Sequence, residues 1–288
     1  MFQKVEKLSE AANRNVRDAL IEDLGSGDLS AGILTKKKVF AKLVCKSDEA
    51  VLAGQLWFEQ CFKFLDKSIE ITWLRKDGDL IKKNDTVCRI EGYNVPILSG
   101  ERSAINFLQV LSSVSTRTKK YVTLLKDLDL TSCAVLDTRK TIPGLRLAQK
   151  YAVRVGGGKN QRFGLWDSIL IKENHIISVG GLKRLLGRNL SNKLDSHVNL
   201  NVQIEVENLD EFEYVKTIGI KNILLDNFSI DDLNKAVKAN DKNLILEASG
   251  EIGLYNFKDI ALTGVSRISI GDLTKNIDSI DFSLRFSY

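Results

Sequence analysis

Two hydrophobic rhythms divide the chain. Over residues 4–22 the apolar side chains Val5, Leu8, Ala12, Val16, Ala19 and Leu20 recur at helical spacing, and Glu22-Asp-Leu-Gly-Ser-Gly-Asp28 ends the pattern with two glycines. The spacing then predicts a strand over 39–46 and a helix over 50–65 that follows Val51-Leu-Ala-Gly54. It predicts a strand from Ile69 to Trp73, a tight turn at Asp77-Gly78-Asp79 and another strand from Thr86 to Ile90. Ile105, Leu108, Leu111, Val114 and Tyr121 place a helix from Gly100 to about Lys126. A helix, short strands and hairpin turns together read as an α+β sandwich, not a βαβ array.

From Cys133 onward short apolar runs alternate with helical stretches. The runs are Cys133–Leu136, Ile169–Ile171, Val202–Val206, Ile223–Leu225, Leu244–Leu246 and Ile268–Ile270, with Ile230–Ala239 typical of the helices. Glu205, Asp226, Glu247 and Ile270 mark steps of 21, 21 and 23 residues, the length of one strand plus one helix. A parallel sheet or barrel is expected, hence a β/α-barrel-like domain with parallel strands. The overall class is therefore α/β: an N-terminal α+β sandwich over 1–110, a barrel over 111–277, and a tail that alternates from Ile280 to Tyr288 and returns to the first domain as a strand within 278–288. No repeat beyond this period and no low-complexity linker is visible.

The runs of the second part stop abruptly at chemistry-bearing residues: Asp137 and Arg139, Lys172, Glu205 and Glu207, Asp226, Ser249-Gly250, and Gly271. Barrel folds place their chemistry at the C-terminal ends of the strands, and loops after the last strands bind phosphate. Ser249-Gly250-Glu251 and Gly271-Asp272 hold the small residues that let backbone amides reach phosphate oxygens. Any one of these residues fits an ordinary turn, but that account is weak for all six ends together.

Composition adds bounds. Hydrophobic residues make up 43% and charged residues 27% of 288, as in an ordinary globular protein with room for a sizeable core. No apolar run has the length of a membrane span, and residues 1–24 have no signal-peptide core, so a cytoplasmic protein is expected. Cys45, Cys61, Cys88 and Cys133 show no Cys-x-x-Cys spacing and read as buried thiols. With only His175 and His197, a His-rich metal centre is not expected. The net charge of +5 is mild, and a basic stripe with interleaved aromatics is missing, which argues against nucleic acid.

The most informative stretch runs from Leu136 to His175. It contains Asp137-Thr-Arg-Lys-Thr-x-Pro-Gly-Leu-Arg146, Gly156-Gly-Gly-x-Asn160, Arg162, Gly164-Leu165, Asp167 and Leu170-Ile-Lys-x-Asn-His175. On these strings the chain resembles the quinolinate phosphoribosyltransferases, over nearly its whole length. The Glu22–Asp28 turn supports the likeness. The resemblance implies phosphoribosyl transfer from 5-phosphoribosyl 1-pyrophosphate to quinolinate, with Mg²⁺, giving nicotinate mononucleotide, pyrophosphate and CO₂. It implies a homodimer, or a hexamer of dimers, in which Arg102 of the Gly-Glu-Arg motif enters the neighbouring subunit's pocket. Read alone, Arg102 is a surface side chain, and at a helix N-terminus it is electrostatically out of place.

The residue types fit that chemistry. Arg102, Arg139, Arg162 and Lys172, with Thr138 beside them, suit a small molecule with more than one carboxylate, because guanidinium forks match carboxylates bidentately. Glu205 and Asp226 suit ribose hydroxyls or Mg²⁺ and are, with Lys140, the candidate catalytic residues. Lys140, Ser249, Gly250, Glu251, Ile270, Gly271, Asp272 and Lys275 form the candidate phosphate side. The chain departs from the family pattern at Gln161, where His is usual, at Asp272, where a small neutral residue is usual, and at Ser112-Ser-Val-Ser-Thr116. His175 reads equally as a base or as a local hydrogen-bonding group, while Phe163 and Trp166 read as packing. Alternatives are a phosphoribosyltransferase for another pyridine acid such as nicotinate, which needs fewer cations, and a non-catalytic or transport-associated relative, which Gln161 favours.

Overall fold

The structure, a computed structural model, describes residues 5–185, 201–218, 220–241 and 244–287; His197 and Tyr288 lie outside them. In chain order the elements are α1 (Leu8–Leu24), β1 (Lys38–Cys45), β2 (Glu49–Val51), α2 (Gln55–Leu65), β3 (Glu70–Trp73), β4 (Leu80–Lys82), β5 (Thr86–Tyr93) and α3 (Asn94–Asp127). There follow β6 (Ala134–Leu136), α4 (Arg146–Val155), β7 (Ile169–Ile171), α5 (Glu173–Ser178), α6 (Leu182–Leu185), β8 (Val202–Val206), α7 (Leu209–Thr217) and β9 (Asn222–Asp226). The last are α8 (Ile230–Lys238), β10 (Ile245–Ser249), α9 (Phe257–Leu262), β11 (Arg267–Ser269), α10 (Asp272–Lys275) and β12 (Phe282–Ser287). Among the described residues no helix is long and apolar enough to cross a membrane.

The chain forms two compact units. One holds 1–119, 141–157 and 273–288; the other holds 120–140 and 158–272. In the first unit an antiparallel sheet runs in the order β12-β1-β5-β3, and β2 pairs with β4. The tail strand β12 lies on β1, Phe40 opposite Ser287 and Cys45 opposite Phe282. Trp57, Phe58, Cys61 and Phe62 of α2 are fully buried against the core. The start of α2 is capped from a distance. Asp77 accepts from Gly54 N at 3.1 Å and Gln55 N at 3.3 Å, and from the Tyr151 hydroxyl at 2.7 Å. The turn at Asp77-Gly78-Asp79 therefore supplies the anion that the N-terminus of α2 needs. Burial pushes the Asp77 carboxyl above its ordinary pKa, against these hydrogen bonds.

Three sequence readings change here. The helix expected from Gly100 begins at Asn94, with Pro96 in its first turn where no backbone donor is needed. Arg102 thus sits in the third turn, away from the positive end of the helix. Gly100 is not a start signal: a Cβ there would lie 3.1 Å from Phe62 Cδ1 and Leu65 Cδ1, so glycine lets α3 close on α2. The hydroxyls of the Ser112–Thr116 stretch have structural work. Ser112 Oγ accepts from Ala53 N at 3.1 Å, Thr116 Oγ1 accepts from Val51 N at 2.9 Å, and Ser115 donates to Val51 O at 2.7 Å. They satisfy the backbone between β2 and α2.

In the second unit six strands pair in the order β6-β11-β10-β9-β8-β7, every pair parallel. A parallel bridge from Leu136 to Lys159 extends the edge at β6. Asn208 and Ser229 cap α7 and α8, accepting from Glu211 N at 2.9 Å and Asp232 N at 3.2 Å. Alternation splits the two faces. Ile204, Val206, Ile223, Leu225, Leu246, Ala248 and Ile268 are buried on one of them. On the other, Glu205, Leu224, Glu247 and Arg267 stand side by side in register, Gln203 beside Asn222 lies below, and Asp226 beside Ser249 lies above, at the strand ends. This polar face is the floor of the candidate site.

Candidate active site

Lys172 follows β7 directly, and its Nζ reaches across to Glu205 on β8, 2.9 Å from Oε1 and 2.7 Å from Oε2. Sequence reading gave these two residues separate ligands; the fold makes them one ion pair. Burial raises the Glu205 pKa, the Lys172 hydrogen bond and charge oppose that rise, and the neighbouring Asp226 carboxylate adds to it. Cation, buried acid and second acid therefore share the ends of β7, β8 and β9.

Asp137 ends β6 and is fully buried. It accepts from Asn160 Nδ2 at 2.6 Å and Gln161 N at 2.9 Å, which ties the 160–162 segment to the strand end. The next residue, Arg162, and Arg139, two residues after Asp137, both bury their guanidinium Nε atoms without a hydrogen-bond partner. Loss of water and the positive charge of Arg139 lower the Arg162 pKa, while Glu205 and Asp167 oppose the shift. Two desolvated cations that repel one another and leave donors unused are an arrangement completed by an anion with several oxygens.

The small residues gather on the same unit. Thr138 Oγ1 accepts from Lys140 N at 3.0 Å, and a Cβ at Gly271 would lie 3.0 Å from Lys140 Cδ and 3.7 Å from Thr138 Oγ1. Gly250 holds φ at 128°, and a side chain there would collide with the Asn227 amide oxygen. Ser249 O receives Asn227 N at 2.9 Å. Ile270 is fully buried and its N–H is spent on Leu136 O at 2.9 Å, so the sequence expectation that it contacts phosphate fails: neither its side chain nor its amide is available. Glu251 is exposed, its carbonyl taken by Tyr255 and Asn256, and Asp272 opens α10 half-buried. Arg102 and Lys275 are exposed and belong to the first unit, where Arg102 borders a cavity of about 400 Å³ with Arg14, Glu22 and Asp23.

Other side chains resolve differently. His175 Nδ1 accepts from Lys172 N at 3.0 Å, a local cap at the start of α5. Trp166 is 58% exposed and packs locally, its ring lying over Gly164. Gly156, the first residue of the glycine triplet, meets α3: a Cβ there would lie 2.5 Å from Ser115 O and 2.7 Å from Thr118 Cβ. Sequence reading gave Asp137 no role and used Glu247 only as a spacing mark. The available signal was a charged residue in mid-strand on the same alternating face as Glu205.

Among the described residues no group of three or more His, Cys, Asp or Glu side chains could hold a metal. Glu205 and Asp226 form a pair whose mutual repulsion a cation would relieve. That suits Mg²⁺, which takes one or two carboxylates and fills its remaining positions with water and substrate oxygens.

Residues 23–112 match the N-terminal domain, and residues 114–285 the C-terminal domain, of quinolinate phosphoribosyl transferase. The chain belongs to the quinolinate phosphoribosyltransferase family. It is 37% identical over 265 residues to a probable carboxylating nicotinate-nucleotide pyrophosphorylase of Bacillus subtilis, covering 92% of this chain and 89% of that protein. The nicotinate-nucleotide pyrophosphorylase structure from Francisella tularensis superposes with a TM-score of 0.90 at 40% identity, covering 99% of this chain and all of that one. The Ehrlichia chaffeensis enzyme of the same name gives 0.88 at 32% identity. Family membership agrees with the Leu136–His175 motifs and with the parallel strands that present them.

Proposed function

We propose that this member of the family transfers the phosphoribosyl group of 5-phosphoribosyl 1-pyrophosphate to quinolinate and releases CO₂, forming nicotinate mononucleotide and pyrophosphate as a step of NAD biosynthesis. The observation that carries the reading is the pair of buried, unused guanidinium Nε donors of Arg139 and Arg162 beside the Lys172–Glu205–Asp226 group. A diacid needs that many cations; nicotinate, with one carboxylate, does not.

In this reading Arg139, Arg162 and Lys172, with Thr138, grip the two carboxylates of quinolinate and aim its ring nitrogen at C1 of the ribose. Glu205 and Asp226 hold the ribose hydroxyls as positive charge develops at C1 and pyrophosphate leaves, which is catalysis by positioning and charge. When the C2 carboxylate departs as CO₂, the electron pair of the broken bond stays at C2, stabilised by the adjacent positive pyridinium nitrogen, and a proton from water then takes it to form the C2–H bond. Lys140 and the backbone of Ser249, Gly250, Glu251, Gly271 and Asp272 receive the phosphates, with Lys275 given the same role by its sequence position. Mg²⁺, held by Glu205, Asp226 and substrate oxygens, would supply charge neutralisation for pyrophosphate. Arg102, exposed on the first unit, is assigned to the neighbouring subunit of a homodimer. A cytoplasmic location is part of this reading; the four free cysteines suit a reducing compartment.

The direct test is turnover of quinolinate with phosphoribosyl pyrophosphate and Mg²⁺, with nicotinate in parallel. Product from quinolinate alone is expected; turnover of nicotinate alone, or of neither acid, overturns the reading. The Glu205 environment adds a pH prediction. The working carboxylate is lost as pH falls through its raised pKa, so kcat/KM should fall on the acid side above the ordinary carboxylate range. Lys172→Met removes the influences that lower the Glu205 pKa, so the acid limb should move to higher pH, on top of a loss of about tenfold or more at the optimum. An unmoved limb in the kcat/KM profile would show that Glu205 does not set it.

A further inference from the structure

We propose that Glu247 is a positioning residue that acts through Gln161 to set Arg162. This rests on Arg162 gripping quinolinate, as proposed above. Glu247 lies mid-strand on β10, fully buried, in register between Leu224 and Arg267 on the polar face. Each of its oxygens takes one side-chain amide: Oε1 from Gln161 Nε2 at 2.7 Å and Oε2 from Gln203 Nε2 at 2.9 Å. A carboxylate only accepts, so the Gln161 amide must turn its NH₂ toward Glu247, and its orientation is fixed. The neighbouring backbone is fixed too, since Asp137 holds Asn160 and the Gln161 N–H. The 160–162 segment is thereby pinned by one buried acid at its main chain and by another at its side chain.

Packing does not do this work. Gln161, Arg162, Gln203 and Glu247 border a cavity of about 210 Å³, together with Asn222, whose buried Oδ1 has no partner among the described residues. A side chain beside open polar space is held by its hydrogen bonds. Arg162 follows Gln161 directly, and its Nε makes no hydrogen bond of its own. Its aim at Arg139 and the substrate is thus inherited from residue 161. A buried carboxylate is costly to desolvate, and here the two amides offset that cost, as befits a group kept for orientation.

The test is a double-mutant cycle on the full-length enzyme, with Glu247→Gln, Gln161→Ala and the pair, and with Gln203→Ala as comparison. Glu247→Gln should raise KM for quinolinate about tenfold while kcat and KM for phosphoribosyl pyrophosphate stay within about twofold. Gln161→Ala should do the same. The double variant should be no worse than either single, because the same interaction is lost once. Gln203→Ala removes a bond to the same carboxylate and opens the same cavity, yet should leave KM within about twofold. Multiplying effects in the double variant, or an equal loss in Gln203→Ala, would overturn the proposal in favour of general structural support. Should Glu247→Gln fail to fold, the Gln161→Ala against Gln203→Ala contrast decides alone. Wild-type enzyme that turns over quinolinate while all variants match it sinks the Glu247 role only; wild-type enzyme inactive on quinolinate sinks the functional reading itself.

Discussion

Arg139→Ala should lower kcat/KM for quinolinate by about a thousandfold while the protein folds normally. The guanidinium lies beside Arg162, with its Nε buried and unbonded. Charge-assisted hydrogen bonds contribute about 1.5–3 kcal/mol each, and a bidentate grip on a carboxylate loses two together. Folding stability should not suffer, because the change removes one of two like charges that repel, a repulsion that adds to the larger effect of burial in lowering the Arg162 pKa. Arg139→Lys should recover little, since a point charge cannot supply the fork. Steady-state kinetics, equilibrium dialysis of quinolinate and thermal unfolding separate the contributions. Undiminished turnover would remove Arg139 from the site, and a large fall in unfolding temperature would make it a structural residue.

The second large effect is on stability. Gly156→Ala should cost about 3 kcal/mol, because the new methyl group enters the space of a backbone carbonyl and a β-branched side chain on α3. Neither neighbour can yield cheaply: Ser115 and Thr118 are fully buried, and the Thr118 hydroxyl donates to Val114 O at 2.8 Å. The helix and the 146–156 segment must separate, which opens the packing of the first unit. Gly32→Ala, whose methyl meets nothing within 4 Å and whose φ is ordinary, is the matched control and should change stability by no more than about 0.5 kcal/mol. Urea unfolding of the two variants against the parent makes the comparison; equal midpoints would refute the steric account of Gly156.

Much of the second unit was legible because its strands carry their own instructions. β7 and β8 coincide with the apolar runs, the remaining four strands match within three residues at either end, and the 21- to 23-residue period foretold a parallel sheet. Arg139, Arg162, Lys172, Glu205 and Asp226 were legible as strand-end and motif residues, because a strand that stops at a charge is a local event in the chain. The α3 start was misread because Gly100 signals a break locally, while its true reason is contact with Phe62 and Leu65, 35 to 38 residues earlier. Gly156 and the Ser112–Thr116 hydroxyls were opaque for the same reason.

The sequence by itself determined the α/β class, the alternation of strand and helix, and the residue types that wait at the strand ends, since each depends on side chains a few positions apart. Tertiary structure alone decided partnerships: Lys172 with Glu205, Asp137 with the 160–161 segment, Glu247 with Gln161 and Gln203, Asp77 with the start of α2. Those pairs join residues 22 to 86 positions apart. Hydrophobic periodicity records which face of an element is buried, but not which polar group from another element will meet it there. That choice is made when the strands assemble side by side and each buried donor must find an acceptor.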